Sequence, residues 1–191
     1  GPCKGAVVAV EPSTGRILAL VSSPSFDPNT LSSHDLAAQS AAWQRLRDDP
    51  NSPLTNRAIS ERYPPGSTFK PITTVAALQN GLTEDEQLTA LPAIPLPDST
   101  ATLENYGGTP CGSGPTAPLR EAFARSCNTA FVELGLRIGV DAVRSAAGSF
   151  GFDSDPDPIP LQVAESTVGP IPDRAALAMS SIGQKDVSVT P

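Results

Sequence analysis

The sequence predicts an α+β fold, and three observations carry that expectation. Two short aliphatic runs open the chain, segments with helical spacing follow from about residue 33, and strands do not alternate with helices as they would around a parallel sheet. At 191 residues the chain suffices for one domain with a substantial core. A formal net charge of −7 opposes a phosphate backbone, so nucleic acid is not an expected partner. The apolar runs are strand length, far short of the ~20 residues that span a bilayer. No transmembrane segment or signal peptide is read in these residues.

Residues 6–10 and 17–21 are nearly all apolar and flank Glu11-Pro12-Ser13-Thr14-Gly15-Arg16, which reads as a β-hairpin turned by Pro12 and Gly15. Strands apolar on both faces predict an antiparallel sheet sandwiched between helices. Residues 33–47 read as a helix capped by Ser32 or Ser33, with Leu36, Trp43 and Leu46 turned inward and Asp48-Asp49-Pro50 ending it. A second helix spans residues 67–80, carries Ile72, Val75, Ala76 and Leu78, and stops before Gly81. Pro71 lacks an N–H and is tolerated only in a first turn, which places the start of that helix at about Ser67. Residues 118–126 read as a further helix burying Leu119 and Phe123. Residues 129–136 and 141–150 give two more, broken at Gly139 and capped at Gly151. The chain's 21 prolines cluster around residues 91–97, 110–118 and 155–160, which reads as ordered connections, because apolar residues interrupt each cluster.

Ser67-Thr68-Phe69-Lys70 sets a hydroxyl and an amine three residues apart on one helical face. Serine becomes a nucleophile when a base takes its proton, and lysine is a base only as the neutral amine. Lowering its pKa by about three units costs roughly 4 kcal/mol. Burial and the positive end of a helix dipole both favour the neutral form, and unbonded first-turn N–H groups suit a developing oxyanion. Ser-x-x-Lys arises by chance about 0.3 times in such a composition, so Tyr63-Pro64-Pro65-Gly66 matters: a stiff approach with a glycine presents the serine at a helix tip. Ser126-Cys127-Asn128 follows another helix end. Taken alone it is an ordinary helix terminus. As partner of a Ser-x-x-Lys site, Ser126 relays a proton and the Asn128 amide holds the Lys70 side chain and a substrate amide.

Ser-x-x-Lys followed by Ser-x-Asn resembles the penicillin-binding proteins and serine β-lactamases. Residues 5–22, Pro24-Ser25-Phe26-Asp27-Pro28-Asn29, Asn56-Arg57-Ala58, Tyr63 to Pro71, and Ile182-Gly183-Gln184 with Val189-Thr190-Pro191 are similar to class B transpeptidase domains. The segments Gly1-Pro2-Cys3-Lys4-Gly5 and Glu165-Ser166-Thr167-Val168-Gly169-Pro170-Ile171-Pro172 resemble the actinobacterial penicillin-binding protein A type most closely. The resemblance implies a peptidoglycan D,D-transpeptidase with Ser67, Lys70, Ser126 and Asn128 as its catalytic residues. It implies stem peptides ending in D-alanyl-D-alanine as substrates, β-lactam antibiotics as inhibitors and division-machinery proteins as partners. The expected location is the extracytoplasmic face of the membrane, with anchoring through an N-terminal segment. No cofactor is implied. In that setting Cys111 and Cys127 are expected to be bridged, with Cys3 left over; closing a ~15-residue loop contributes about 3 kcal/mol in the chain-entropy account.

Two departures accompany the resemblance. Lys185 stands where the family has glycine after Gly183-Gln184, and the third family motif, Lys-Thr-Gly or Lys-Ser-Gly, does not occur. Residues 1–191 are therefore expected to be the N-terminal portion of one transpeptidase domain, incomplete at the C-terminal side and inactive alone. The alternatives are a serine β-lactamase and a β-lactam-sensing or scaffold module. Asn128 disfavours the class D enzymes, which carry valine there, and the region of Glu165-Ser166-Thr167 does not resemble the class A hydrolytic loop. His34, the one histidine, reads as a solvated residue near a helix start rather than a ligand. Asp153, Asp155 and Asp157 alternate like a calcium loop, but Pro156 and Pro158 break the turn, so no metal is expected.

Overall fold

The computed structural model describes residues 3–156 and 159–191. Two compact units emerge: the first takes the described residues of Gly1–Tyr63, Pro158–Ala164 and Thr190–Pro191, the second those of Pro64–Asp157 and Glu165–Val189. Asp157 and Pro158, part of the alternating acidic stretch, lie outside the described residues. No helix among the described residues is long and apolar enough to cross a membrane.

In the first unit, β1 (Gly5–Val10) pairs antiparallel with β2 (Ile17–Ser23), matching Gly5 to Ser23 and Val8 to Leu20. The turn closes where Pro12 and Gly15 place it, with Gly15 N donating to Glu11 O at 2.9 Å and Gly15 at φ +72°. Among the described residues the expected cover on both faces is not found. Val7, Leu18 and Val21 remain 61%, 60% and 52% exposed. Helices and antiparallel strand pairs combine as the expected α+β fold; among the described residues the strands form three separate two-stranded sheets, of which β1–β2 is one. In the other two, proline ends the ladders after three residues.

Helix α1 (Leu36–Asp48) starts later than residue 33, because a 3-10 turn over Pro28–Leu31 comes first and Asp35, not Ser32 or Ser33, caps it. The Asp35 carboxylate accepts from Ala37 N and Ala38 N at 2.9 and 3.2 Å, a stronger cap than a hydroxyl at a positive helix end. Ser33 instead accepts from Asp35 N at 3.1 Å and shapes the approach. Leu36 and Trp43 face outward at 73% and 49% exposure; Ala42 is the buried residue of α1. The short α2 (Arg57–Ser60) buries Arg57, whose terminal nitrogens donate to Asn51 O at 2.8 Å and Ser52 O at 3.2 Å.

The second unit is built on α3 (Lys70–Gln79), entered through a 3-10 turn over Gly66–Phe69 and left through Gly81 at φ +84°. Strands β3 (Gln87–Thr89), β4 (Ala93–Pro95), β5 (Thr102–Glu104) and β6 (Thr116–Pro118) pair as β3–β6 and β4–β5. Next come α4 (Leu119–Ala124) and α5 (Asn128–Ser149), the latter broken at Gly139 with φ 84° and ψ 171°. Sequence spacing did not reveal α6 (Arg174–Ser180), whose first turn Asp173 caps through Ala176 N at 2.7 Å. One core gathers Phe131, Val132 and Leu134 of α5 with Ala77, Leu88, Leu119 and Ala178; the other joins Phe69, Ile72 and Ala76 to Val143, Ala147 and Phe152. Leu119 is buried as expected, but Phe123 is 45% exposed and Leu78 47%. Both lie beyond the width of the buried stripe.

Candidate active site

The second unit alone builds the site. Ser67 lies in the 3-10 turn and is exposed, whereas Lys70, one turn on, opens α3 and is 2% exposed. The α-helix thus begins three residues after Ser67, and Pro71 sits in its first turn, where a missing N–H does no harm. The presenting backbone is pinned from elsewhere in the chain. Gly66, at φ +56°, donates its N–H to Gly183 O at 2.9 Å. Gly183 must be glycine, because it has φ +70° and a Cβ there would overlap the Gly66 carbonyl oxygen. Thr73 Oγ1 donates to Ser181 O at 2.8 Å, tying the same segment to α3.

Residues distant in sequence receive the buried amine. Lys70 Nζ donates to Ser126 O at 2.7 Å, to Asn128 Oδ1 at 2.7 Å and to Ser126 Oγ at 3.2 Å, across separations of 56 and 58 residues. Its charge also lies 5.4 Å from the centroid of the Phe131 ring, on whose negative face a cation is favoured. Three acceptors match the three N–H bonds of an ammonium. Burial works the other way and pushes the Lys70 pKa down to about 8. A pKa of 8 leaves roughly a tenth of the lysine neutral at pH 7, so reaching the base form costs about 1.4 kcal/mol there, against about 4.6 for an unperturbed lysine.

Ser126 is the left-handed residue that ends α4, with Ser126 N donating to Phe123 O at 3.0 Å and Cys127 N to Ala122 O at 2.9 Å, but neither Ser126 nor Asn128 caps α5. Cys127 holds the N-cap position of α5 without a side-chain bond, and Asn128 is the first residue of that helix. Ser126 turns the chain from α4 into α5 at φ +54°, a left-handed conformation that costs a non-glycine residue about 1–2 kcal/mol. Asn128 is oriented at both ends of its amide, since Oδ1 accepts from Lys70 and Nδ2 donates to Glu104 O of β5 at 3.0 Å.

Sequence reasoning did not find Asn105. This residue is buried, accepts from Thr129 N at 3.0 Å, and donates through Nδ2 to Leu91 O at 2.9 Å and Thr109 O at 3.0 Å. It thereby ties the first turn of α5, which carries Asn128, to the loop after β5. A bond between Cys111 and Cys127, with an S–S distance of 2.08 Å, fastens the far end of that loop; Cys3 is free and exposed. No local signal distinguishes Asn105 from a turn asparagine, because every hydrogen-bond partner of its side chain but Thr109 is 14 or more residues away.

The sequence profile of the penicillin-binding protein transpeptidase domain matches residues 5–191. A peptidoglycan D,D-transpeptidase of Mycobacterium tuberculosis, PbpA, is 74% identical over the whole chain, which spans 39% of that relative. Its Mycolicibacterium smegmatis counterpart is 70% identical, again over all of this chain and 39% of the relative. The penicillin G acyl-enzyme complex of penicillin-binding protein A from M. tuberculosis superposes with a TM-score of 0.96 and 74% identity, covering all of this chain and 44% of that one. The chain thus spans about two fifths of the length of the curated relatives it matches.

Proposed function

From membership of the chain in the penicillin-binding protein transpeptidase family, we propose that it carries the acylation centre of a peptidoglycan D,D-transpeptidase. Ser67 is the nucleophile, Lys70 its base, Ser126 the proton relay and Asn128 the holder of both Lys70 and the substrate amide. One observation carries this reading above the rest: a 2% exposed lysine whose amine ends on Ser126 and Asn128. A buried ammonium costs several kcal/mol, and a merely structural contact would not require one.

The reaction follows from these placements. Neutral Lys70 takes the Ser67 proton as Ser67 Oγ bonds to the carbonyl carbon of the D-alanyl-D-alanine amide. Negative charge gathers on the carbonyl oxygen, where the backbone N–H of Ser67 stabilises it, those of Gly66 and Thr68 being bonded to Gly183 O and Pro65 O. The proton returns through Ser126 Oγ to the departing D-alanine nitrogen, leaving an acyl ester on Ser67. An amine of a second stem peptide then attacks that ester while Lys70 and Ser126 run the relay in reverse, releasing the cross-link. A penicillin enters the same first half-reaction and stops at the ester.

The intact protein acts outside the cytoplasmic membrane, anchored through an N-terminal segment and working with division-machinery proteins. The test is to incubate the intact protein with a fluorescent penicillin and locate the adduct by peptide mass spectrometry. Label is expected on Ser67, to persist for hours and to vanish in Ser67→Ala. Label on another serine, or undiminished label in the variant, would refute the proposal; adduct shed within seconds would make the protein a β-lactamase.

A further inference from the structure

A cleft of about 280 Å³ beside Ser126 is lined by Asn105, Tyr106, Thr109, Pro110 and Arg125. Its electrostatics run against the chain as a whole. The protein's formal charge is −7, yet Arg125 is the one charged side chain lining this cleft among the described residues. Its guanidinium is paired with Glu121 through Nε at 3.0 Å, an exposed ion pair one helical turn apart. Such a pair contributes little in water and yields readily to a better acceptor, and a guanidinium has further N–H donors for a second carboxylate. Tyr106 is 98% exposed. Its loop is nevertheless held at both ends, by Asn105 on Leu91 O and Thr109 O and by the Cys111–Cys127 bond. An aromatic ring on a fastened loop, an arginine held only by an exposed ion pair and a hydroxyl beside the same serine make a surface for a peptide bearing a carboxylate.

We infer that this cleft is a peptide subsite, in which Arg125 binds a carboxylate of a stem peptide and Tyr106 packs against the adjoining chain. The assignment rests on the transpeptidase reading and adds to it the determinant of which stems are accepted. Either the donor or the acceptor stem supplies that carboxylate, and the two differ in the step they affect.

The experiment uses the intact protein with paired synthetic stem peptides, identical except that one side-branch carboxylate is a carboxamide in the second. Acylation is followed with the pair as donors, and transfer to an amine with the pair as acceptors. The wild type is expected to prefer the carboxylate about ten- to a hundredfold in kcat/KM in one of these steps, the worth of a charge-assisted hydrogen bond. A preference in acylation assigns the donor stem to the cleft; a preference in transfer assigns the acceptor. Arg125→Gln should bring the ratio close to one, Glu121→Gln should raise it by releasing the guanidinium, and Tyr106→Ala should raise KM for both members of the pair alike. An equal ratio in wild type and Arg125→Gln at both steps, with penicillin still labelling Ser67, would overturn the subsite. Failure of penicillin to label Ser67 in the wild type would instead overturn the transpeptidase reading on which it rests.

Discussion

The hairpin of the first unit and helix α5 of the second are built from the same kinds of side chain, yet they meet opposite environments. Val7, Leu18 and Val21 are more than half exposed, while Phe131, Val132 and Leu134 are fully buried. Apolar patterning therefore specifies an element and its period; it does not say whether anything covers it. The chemistry follows the burial. Lys70 and its partners belong to the region whose packing keeps water from an amine, and only such a region can hold a lysine at a pKa of about 8.

The largest test of that contrast is Lys70→Met. Acylation by penicillin should slow 10²- to 10⁴-fold, about 3–5 kcal/mol, in a protein that still folds. In the wild type the acylation rate should climb as pH rises through about 8, as Lys70 becomes neutral. Stability should carry the same signature. The folded pKa lies below the unfolded one, so the unfolded state binds the extra proton between them and stability rises with pH from about 8 to about 10.4. Below that window the buried ammonium costs about 3 kcal/mol, and this part of the slope should disappear in the methionine variant. A wild-type acylation rate in Lys70→Met would assign the base elsewhere.

The comparison sharpens with a matched pair of truncations measured by denaturant unfolding. Leu134→Ala should cost about 2–5 kcal/mol, as cavities in packed cores do, and Leu18→Ala should change the stability of the chain by under about 0.5. Equal costs would mean that the hairpin is packed as tightly as α5. Asn105→Ala should come next, at about 1–3 kcal/mol, because it leaves the Thr129 N–H and the carbonyls of Leu91 and Thr109 without their partner. Penicillin acylation should fall in the same variant as Asn128 loses its footing; an unchanged rate would reduce Asn105 to a loop brace. Opposite in sign is Lys185→Gly. Lys185 sits at φ +66°, where glycine is unstrained, so the exchange should stabilise by about 0.5–1 kcal/mol, read as a higher thermal midpoint.

That lysine also shows how legibility varies along the chain. Its departure from the family's glycine was visible in the sequence, but its meaning required the left-handed backbone that the structure assigns to it. Trp43 was expected inside α1 and lies half exposed, because an amphipathic stripe identifies a face without identifying a neighbour. Helix α6 escaped notice since its small residues Ala175, Ala176 and Ala178 carry little periodic contrast, although its Asp173 cap was readable.

What the sequence determined by itself was local: the hairpin and its turn, the tight entry through Gly66, the Ser67–Lys70 spacing at a helix start, and the break at Gly139. Each depends on backbone preferences or on side chains within one turn of each other. Only the tertiary structure decided which carbonyls and amides receive the Lys70 amine, that Gly183 must be glycine to let Gly66 pass, and that Asn105 braces α5. Those contacts join residues 24 to 117 positions apart, and what selects them is the shape and burial of two packed cores, which no local pattern encodes.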